Sequence, residues 1–381
     1  MRAVVCLVVA ALALATDPSW AQSPLAQSTG DGAAFWKSVQ AICDATAAKP
    51  SGETAKRIAR VAIEEFGRFG GHRIDSDGRI VDFGQTEAEQ SPNPTAELQD
   101  SVGKLAWWRV KKYWQALFGD SAPDKLEVLG FGDATAKTDD KDVTPLIRTT
   151  AARLLKAAEA ETDPETREVL REAAWRLAII DTPWSAAFIS YVVRQAGAAD
   201  KSFRFSNAHR GYIYDAFATG VAEAAGKDDA HFYRACPVYA TVPRAGDIIC
   251  HQRERALTNS SDGEVRELIR TELASGGETR SVRSTHCEVV AFIDAPARKL
   301  YTVSGNVNQS VSARKLNLRA DMKLSATQGH CGGPGHWTLP KSGSRVAADT
   351  GDKPASLRST AKPREQCSLN DSNWFVLLQA R

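Results

Sequence analysis

The sequence predicts an α+β fold, in which a mainly helical N-terminal half precedes a core of helices and short strands. Apolar positions recur at helical spacing in residues 55–66 and again in residues 107–117. Further helices are predicted near residues 143–160, 164–180 and 262–274, and Asp163-Pro164 fits the start of the second of these. Strand-like apolar runs follow later, at residues 246–250, 287–293, 300–304, 311–316 and 374–378. With 381 residues, the chain is long enough for one large domain or two small ones.

The N-terminus has the pattern of a secretion signal. Arg2 precedes the apolar run Val4–Ala15, which is too short to span a bilayer. Small residues then allow cleavage after Ala21. An uncleaved anchor is the alternative, and the polar break at Asp17 argues against it. We therefore expect a periplasmic or secreted protein with no membrane span after cleavage.

Composition shifts divide the chain into a signal peptide (1–21), a flexible or helical segment (22–53), a helical part (54–160) and an α+β core (161–381). Within the core, residues 340–366 are rich in Lys, Ser, Gly, Thr and Pro, which predicts a mobile surface loop. The net charge is only +2, so the chain lacks the overall positive field of a nucleic-acid-binding protein. Oligomeric state does not follow from these patterns.

The helix predicted over residues 107–117 is strongly aromatic. Packing in the core, or covering a cleft as a lid, explains such a helix without any ligand. A surface that stacks on sugars is the alternative.

Six cysteines remain after the signal peptide is removed, and an even number in an exported chain favours disulfides. Six cysteines permit fifteen pairings, so most of the connectivity stays open. One pair follows from the strands, because Cys250 ends one apolar run and Cys287 begins the next. If these strands are antiparallel neighbours, their sulfurs can meet.

Ser185 lies where a helix is expected to start. Thr182 suits an N-cap and Pro183 suits the first helical position, and an apolar helix follows. A hydroxyl at the N-terminus of a buried helix lies near free backbone N–H groups that can stabilise an oxyanion. Alternatively, Ser185 is a small first-turn residue that bonds to the backbone.

His286 and Asn306 supply the other two polar groups of a candidate site. His286 begins a predicted strand, where an imidazole with an ordinary pKa near 6.5 can act as a general base. Asn306 follows Gly305 in a predicted turn. An asparagine there commonly only shapes the turn, but it could also hold the second ring nitrogen of His286.

In this order, the segments resemble the papain-like cell-wall hydrolases of the NlpC and CHAP type. More narrowly, they resemble a bacterial family known as domain of unknown function 2272. The matching motifs are Trp184-Ser185-x-x-Phe188, Pro243-x-x-Gly246-Asp247, His286 and Gly305-Asn306, within residues 180–320. Members of the wider group carry cysteine where this chain has Ser185.

The resemblance implies a papain-like core and hydrolysis of an amide bond in peptidoglycan peptides through an acyl-enzyme. By position, Ser185 is the nucleophile, His286 the base and Asn306 the orienting residue. Asp247 is expected to shape a turn. Serine needs stronger base assistance than cysteine, and Asn306 is neutral, so a catalytically inactive module that binds wall peptides or a partner protein is the alternative.

Three further side chains are candidates for substrate binding: Trp184, His209 and Tyr212. The last two could line the cleft, although surface positions would explain them equally well. A zinc patch at His330, Cys331 and His336 is not favoured, since no fourth ligand can be named. We expect neither a metal nor another cofactor.

Overall fold

The computed structural model describes residues 32–88, 105–130, 147–253, 261–276, 284–329 and 368–381. The predicted signal peptide, the predicted loop at 340–366 and the candidate zinc ligands lie outside the described residues, as do Cys331 and Cys367. The fold is mixed α+β, as predicted.

The α-helices of the described residues are α1 (Gly32–Ala47), α2 (Glu53–Arg68), α3 (Ala106–Phe118), α4 (Ala151–Ala158), α5 (Pro164–Asp181), α6 (Ser185–Gln195), α7 (Arg210–Ala224) and α8 (Asp262–Ala274). The strands are β1 (His72–Ile74), β2 (Ile80–Asp82), β3 (Glu127–Gly130), β4 (Ile147–Thr150), β5 (Tyr233–Cys236), β6 (Ile248–Gln252), β7 (Thr285–Asp294), β8 (Lys299–Val307), β9 (Ser310–Asn317) and β10 (Asn373–Ala380). A 3₁₀ helix covers Gly119–Lys125.

Eight of these strands form one sheet in the order β2-β1-β9-β8-β7-β6-β10-β5. Its pairs are antiparallel except for β1 with β9, which run parallel. Strands β3 and β4 form a separate antiparallel pair. Because β1 and β2 come from residues 72–82, the N-terminal half contributes strands to the same sheet as the core.

A hydrophobic core joins α2, α3 and α6 to one face of the sheet. Trp184 and Phe188 of the α6 region pack there with Tyr113 of α3 and Val303 of β8. A second apolar cluster includes Ile249, Val290, Leu300 and other side chains at alternate strand positions. This alternation follows from the two-residue period of a strand. The start of α6 lies beside the centre of the sheet.

Local signals account for several helix ends. Asp163 caps α5 by accepting a hydrogen bond from the Thr166 backbone N–H at 2.8 Å, as its sequence context predicts. The aromatic helix α3 buries Trp107, Tyr113 and Trp114, which fits the core-packing interpretation. Within the described residues, no helix combines the length and apolar content that crossing a membrane requires.

Two local expectations are wrong. Thr182 is not the N-cap of α6: it ends α5, and its hydroxyl accepts a hydrogen bond from Glu127 N–H at 2.9 Å. Helix α6 starts at Ser185, two residues after the expected first helical position Pro183, and Trp184 is its N-cap residue. The helix expected near 143–160 contains strand β4 before α4, since β4 pairs with β3.

Candidate functional site

Ser185 is the first residue of α6, at the centre of the candidate site. No side chain in the described residues caps this helix, since the N-cap residue Trp184 makes no capping bond. The N–H groups of the first turn therefore have no intrahelical partner and point along the positive end of the helix dipole. If Ser185 Oγ attacks a carbonyl carbon, these donors are placed to stabilise the oxyanion that forms on the carbonyl oxygen.

The imidazole that contacts Ser185 belongs to His209. Ser185 Oγ and His209 Nε2 are 2.7 Å apart, within ordinary hydrogen-bond distance. His209 precedes α7, and Tyr212 lies three residues further on the same face of that helix. The Tyr212 hydroxyl bonds to His209 Nδ1, so Ser185, His209 and Tyr212 form a continuous hydrogen-bonded chain.

Two tautomers of His209 satisfy these contacts, and only one of them suits catalysis. With the proton on Nδ1, the ring donates to the Tyr212 oxygen, and Nε2 accepts the Ser185 hydroxyl. This is the arrangement that a general base requires. With the proton on Nε2, Tyr212 would donate to Nδ1, and Ser185 would accept a hydrogen bond without being activated.

The surroundings keep His209 uncharged. Burial, and to a smaller extent the Arg253 guanidinium, lower the pKa of His209 to about 3. A neutral imidazole is able to accept the serine proton at neutral pH. The same surroundings disfavour the imidazolium formed during attack, so this base is weak until its environment changes.

His286 does not occupy the predicted place. Among the described residues, no hydrogen bond joins it to Ser185, because both of its ring nitrogens are engaged elsewhere. Its Nδ1 accepts from Arg253 Nη2 at 3.2 Å, which leaves the proton on Nε2 to be donated to Ser304 Oγ at 3.1 Å. His286 instead packs against the catalytic candidate: its ring centroid lies 5.4 Å from that of His209.

Asn306 does not orient His286 as predicted, because no hydrogen bond joins the two residues in the described part of the chain. It has a φ of 58° and lies in a bulge of β8, where the pairing with β9 shifts register. Asparagine tolerates this left-handed conformation. Gly305 is needed for a different reason, since a Cβ there would come within 2.5 Å of Trp184 and 2.6 Å of Phe188.

The predicted substrate-binding residues separate into two groups. Trp184 is fully buried between Phe69 and Tyr113, with ring centroids at 5.9 Å in both cases, so it packs in the core rather than lining a cleft. Tyr212 is also buried and supports His209. His209, expected as a cleft residue, is the base candidate that the sequence reasoning missed; its three-residue spacing from Tyr212 was the available signal.

Asp247 has the structural role expected of it. Its two carboxylate oxygens accept the backbone N–H groups of Arg244 and Ala380, each at 2.8 Å. These bonds tie the turn before β6 to β10. Burial raises the pKa of Asp247 to about 7, although Arg244 offsets part of that effect.

The predicted Cys250–Cys287 disulfide is present, with an S–S distance of 2.10 Å. The two cysteines are direct partners in the antiparallel β6–β7 pair, and His251 faces His286 one position away. A second disulfide joins Cys43 of α1 to Cys236 of β5.

His251, His286 and Glu288 cluster closely enough to suggest a metal site, since their ligand atoms lie within 4.8 Å of one another. The charges around them oppose a cation. Glu288 already binds Arg314 Nε at 2.7 Å and Thr302 Oγ1 at 2.5 Å. Coordination through His286 Nε2 would put a proton on Nδ1, facing the Arg253 donor. These residues do not fit a divalent metal.

Comparison with known proteins gives the family. No curated protein and no solved structure matches the chain. The model of the family described as "uncharacterized protein conserved in bacteria (DUF2272)" matches residues 101–380, which include α3 and the whole candidate site. The chain therefore belongs to the bacterial family DUF2272.

Proposed function

We propose that this protein is an exported hydrolase of an amide bond in peptidoglycan peptides, with Ser185 as the nucleophile and His209 as the general base. The observation that carries the proposal is the 2.7 Å contact between Ser185 Oγ and His209 Nε2 at the uncapped start of α6. The order of the four motifs, which resembles NlpC and CHAP hydrolases with serine in place of cysteine, supports the substrate class.

In this mechanism, Ser185 Oγ attacks the substrate carbonyl carbon while its proton passes to His209 Nε2. Backbone N–H groups of the first turn of α6 stabilise the resulting oxyanion. His209 then donates the proton to the leaving amine as the C–N bond breaks, which leaves an acyl-serine ester. Water attacks this ester with His209 again taking a proton, and the proton returns to Ser185.

Tyr212 acts as a positioning residue in the same scheme. Its hydroxyl oxygen accepts a hydrogen bond from His209 Nδ1–H, which selects the tautomer in which Nε2 is unprotonated and can accept the Ser185 proton. It occupies the place that a carboxylate or amide takes in other triads, without contributing a charge.

A module that only binds wall peptides is the second candidate. The observation in its favour is burial, since Ser185 and His209 are each only 6% exposed. A low pKa of the base favours the same reading.

The test compares the parent with Ser185→Ala, His209→Gln and Tyr212→Phe, and with His286→Gln as the matched histidine control. Purified sacculi and soluble muropeptides serve as substrates, and mass spectrometry measures the released products. Loss of the general base should lower the rate about 10²- to 10⁴-fold. Ser185→Ala should abolish acyl-enzyme formation, and His286→Gln should retain most of the rate.

A fluorophosphonate probe gives a readout that does not depend on the substrate, because it labels serine only when the hydroxyl is activated. We expect an adduct on Ser185 in the parent and in His286→Gln, and none in His209→Gln. If His286→Gln abolishes labelling while His209→Gln keeps it, the base assignment is wrong. If folded parent protein gives neither adduct nor product, the binding module is the better description.

A further inference from the structure

Arg253 places a guanidinium against His286, the histidine that packs on the candidate base His209. It follows the last residue of β6, and its backbone N–H donates to Ser284 O at 2.7 Å, which anchors this end of the strand. Its Nη2 lies 3.2 Å from His286 Nδ1, and the His286 ring packs on that of His209. The guanidinium therefore lies one aromatic ring away from the candidate base.

This cation has no anionic partner in the described part of the chain, where no carboxylate oxygen lies within 4.0 Å of Arg253. The nearby Glu288 is already engaged by Arg314, which also bonds to Leu369 O. Arg253 is the exposed residue of the group, whereas His209, His251 and His286 are buried. It thus reaches solvent on one side and His286, which packs on His209, on the other.

We infer that Arg253 is a substrate-binding residue that holds a carboxylate of the peptide beside the scissile amide. The position of the scissile bond rests on the function proposed above. A guanidinium presents paired N–H donors that match the two oxygens of a carboxylate, and here one edge of that group is already fixed by His286. The site therefore selects anionic peptides over neutral ones.

Electrostatics gives such a carboxylate a second effect. Burial and the charge of Arg253 both lower the pKa of His209, while His251 and His286 beside it are held neutral by burial. Arg314 is paired with Glu288, so within the described part of the chain Arg253 is the cation that acts on the base without a carboxylate partner of its own. A carboxylate bound to Arg253 offsets that charge and favours the imidazolium formed during attack. Substrate binding would then strengthen the base.

The test uses two matched probes, soluble muropeptides from purified sacculi and the same muropeptides with their carboxylates converted to amides. Binding is measured by calorimetry in the Ser185→Ala background, so that no turnover interferes. We expect the native probe to bind about 10- to 100-fold more tightly than the amidated one, as for a charge-assisted contact. Arg253→Gln should reduce that preference to less than about threefold.

Two further variants separate charge and geometry from general effects. Arg253→Lys keeps the charge without the planar fork and should give an intermediate preference. Arg60→Gln removes an exposed positive charge from α2 and should keep the full preference. Because Arg253 is exposed, we expect the melting temperatures of the variants to agree with that of the Ser185→Ala protein.

The outcomes distinguish this inference from the proposed function. A tenfold preference that survives Arg253→Gln, or no preference in the Ser185→Ala protein, overturns the role of Arg253, even if the parent releases product. An Arg253-dependent preference in a parent that releases no product supports the subsite and rejects the hydrolase. Product release with an Arg253-dependent preference supports both.

Discussion

Glu87 is a carboxyl group buried beside the start of α6, with only 1% of its surface exposed. Burial raises its pKa to about 7, and the neighbouring Trp184 indole offsets part of that shift. Among the described residues, neither Glu87 Oε2 nor Trp184 Nε1 has a hydrogen-bond partner of normal geometry. The folded protein consequently holds a proton on Glu87 that the unfolded chain releases near pH 4.5.

The sign of the pH effect follows from this raised pKa. Glu87 stabilises the fold below pH 4.5, and that contribution is lost as the pH rises towards 7. The parent loses this contribution as the pH rises, whereas Gln stays neutral. We therefore expect the unfolding free energy of Glu87→Gln, measured relative to the parent, to increase by about 2 kcal/mol from pH 5 to pH 8. Denaturant unfolding at both pH values measures it, with the exposed Glu168→Gln as control. A difference that does not change with pH would contradict the prediction.

At the scale of elements, a buried ion pair holds α2 against α3 beneath Trp184. Arg109 of α3 bonds to both oxygens of Glu65 on α2, with Nε at 3.1 Å from Oε2. Tyr113 donates to the same carboxylate at 2.6 Å, and Arg109 also donates to Tyr191 of α6 at 3.2 Å. Helices α2, α3 and α6 are therefore linked through the Glu65 carboxylate and the Arg109 side chain that it binds.

Arg109→Met tests this junction by removing one partner and leaving Glu65 buried. Arg68, at 2.6 Å from Glu65, provides partial compensation. We expect a loss of about 3 kcal/mol of unfolding free energy, since breaking a buried pair strands a charge. Lys56→Met breaks an exposed pair on the same helix and should leave the unfolding midpoint unchanged. Equal effects of the two variants would show that the buried pair contributes no more to the unfolding free energy than the exposed pair.

At the scale of the whole molecule, the two disulfides of the described residues close separate loops of very different length. Cys43–Cys236 spans 193 residues and ties α1 to the sheet edge, whereas Cys250–Cys287 spans 37 residues. The loops do not overlap, so each constrains the unfolded chain independently. Disulfides persist in oxidising compartments, which fits an extracytoplasmic protein.

Loop closure predicts how these disulfides rank. By loop entropy, Cys43→Ala/Cys236→Ala should cost about 5 kcal/mol of unfolding free energy, and Cys250→Ala/Cys287→Ala about 1.5 kcal/mol less, because cross-linking the shorter loop removes less entropy from the unfolded chain. Chemical denaturation of each double variant, compared with the oxidised parent, measures the two losses. A larger loss from the shorter loop would mean that local packing at the β6–β7 pair outweighs chain entropy.

Much of the site was accessible from local pattern. The position of Ser185 at a helix start, the β6–β7 neighbours joined by Cys250–Cys287, and the turn role of Asp247 all follow from residues close in sequence or from adjacent strands. Helix α8 matches the predicted range 262–274, because Ser261 and Glu264 form a capping box at its start.

The partner of Ser185 was not accessible in the same way. His286 and His209 both have suitable chemistry, and motif order favoured the former. The structure brings in His209 because α7 packs beside α6, while Arg253 and Ser304 occupy both nitrogens of His286. Strand β1 was missed for a related reason, since it is only three residues long and depends on its pairing with β9.

The sequence by itself determined the α+β class, the place of Ser185 in the first turn of a helix, the Cys250–Cys287 neighbours and the turn role of Asp247. Those features depend on periodicity, residue size and backbone preference, which act over a few residues. Only the tertiary structure decided which histidine meets Ser185, which nearby arginine has no carboxylate partner among the described residues, and which carboxyl is buried against Trp184. Hydrogen-bond partners and desolvation depend on segments that are far apart in the chain, so the local sequence pattern does not predict them.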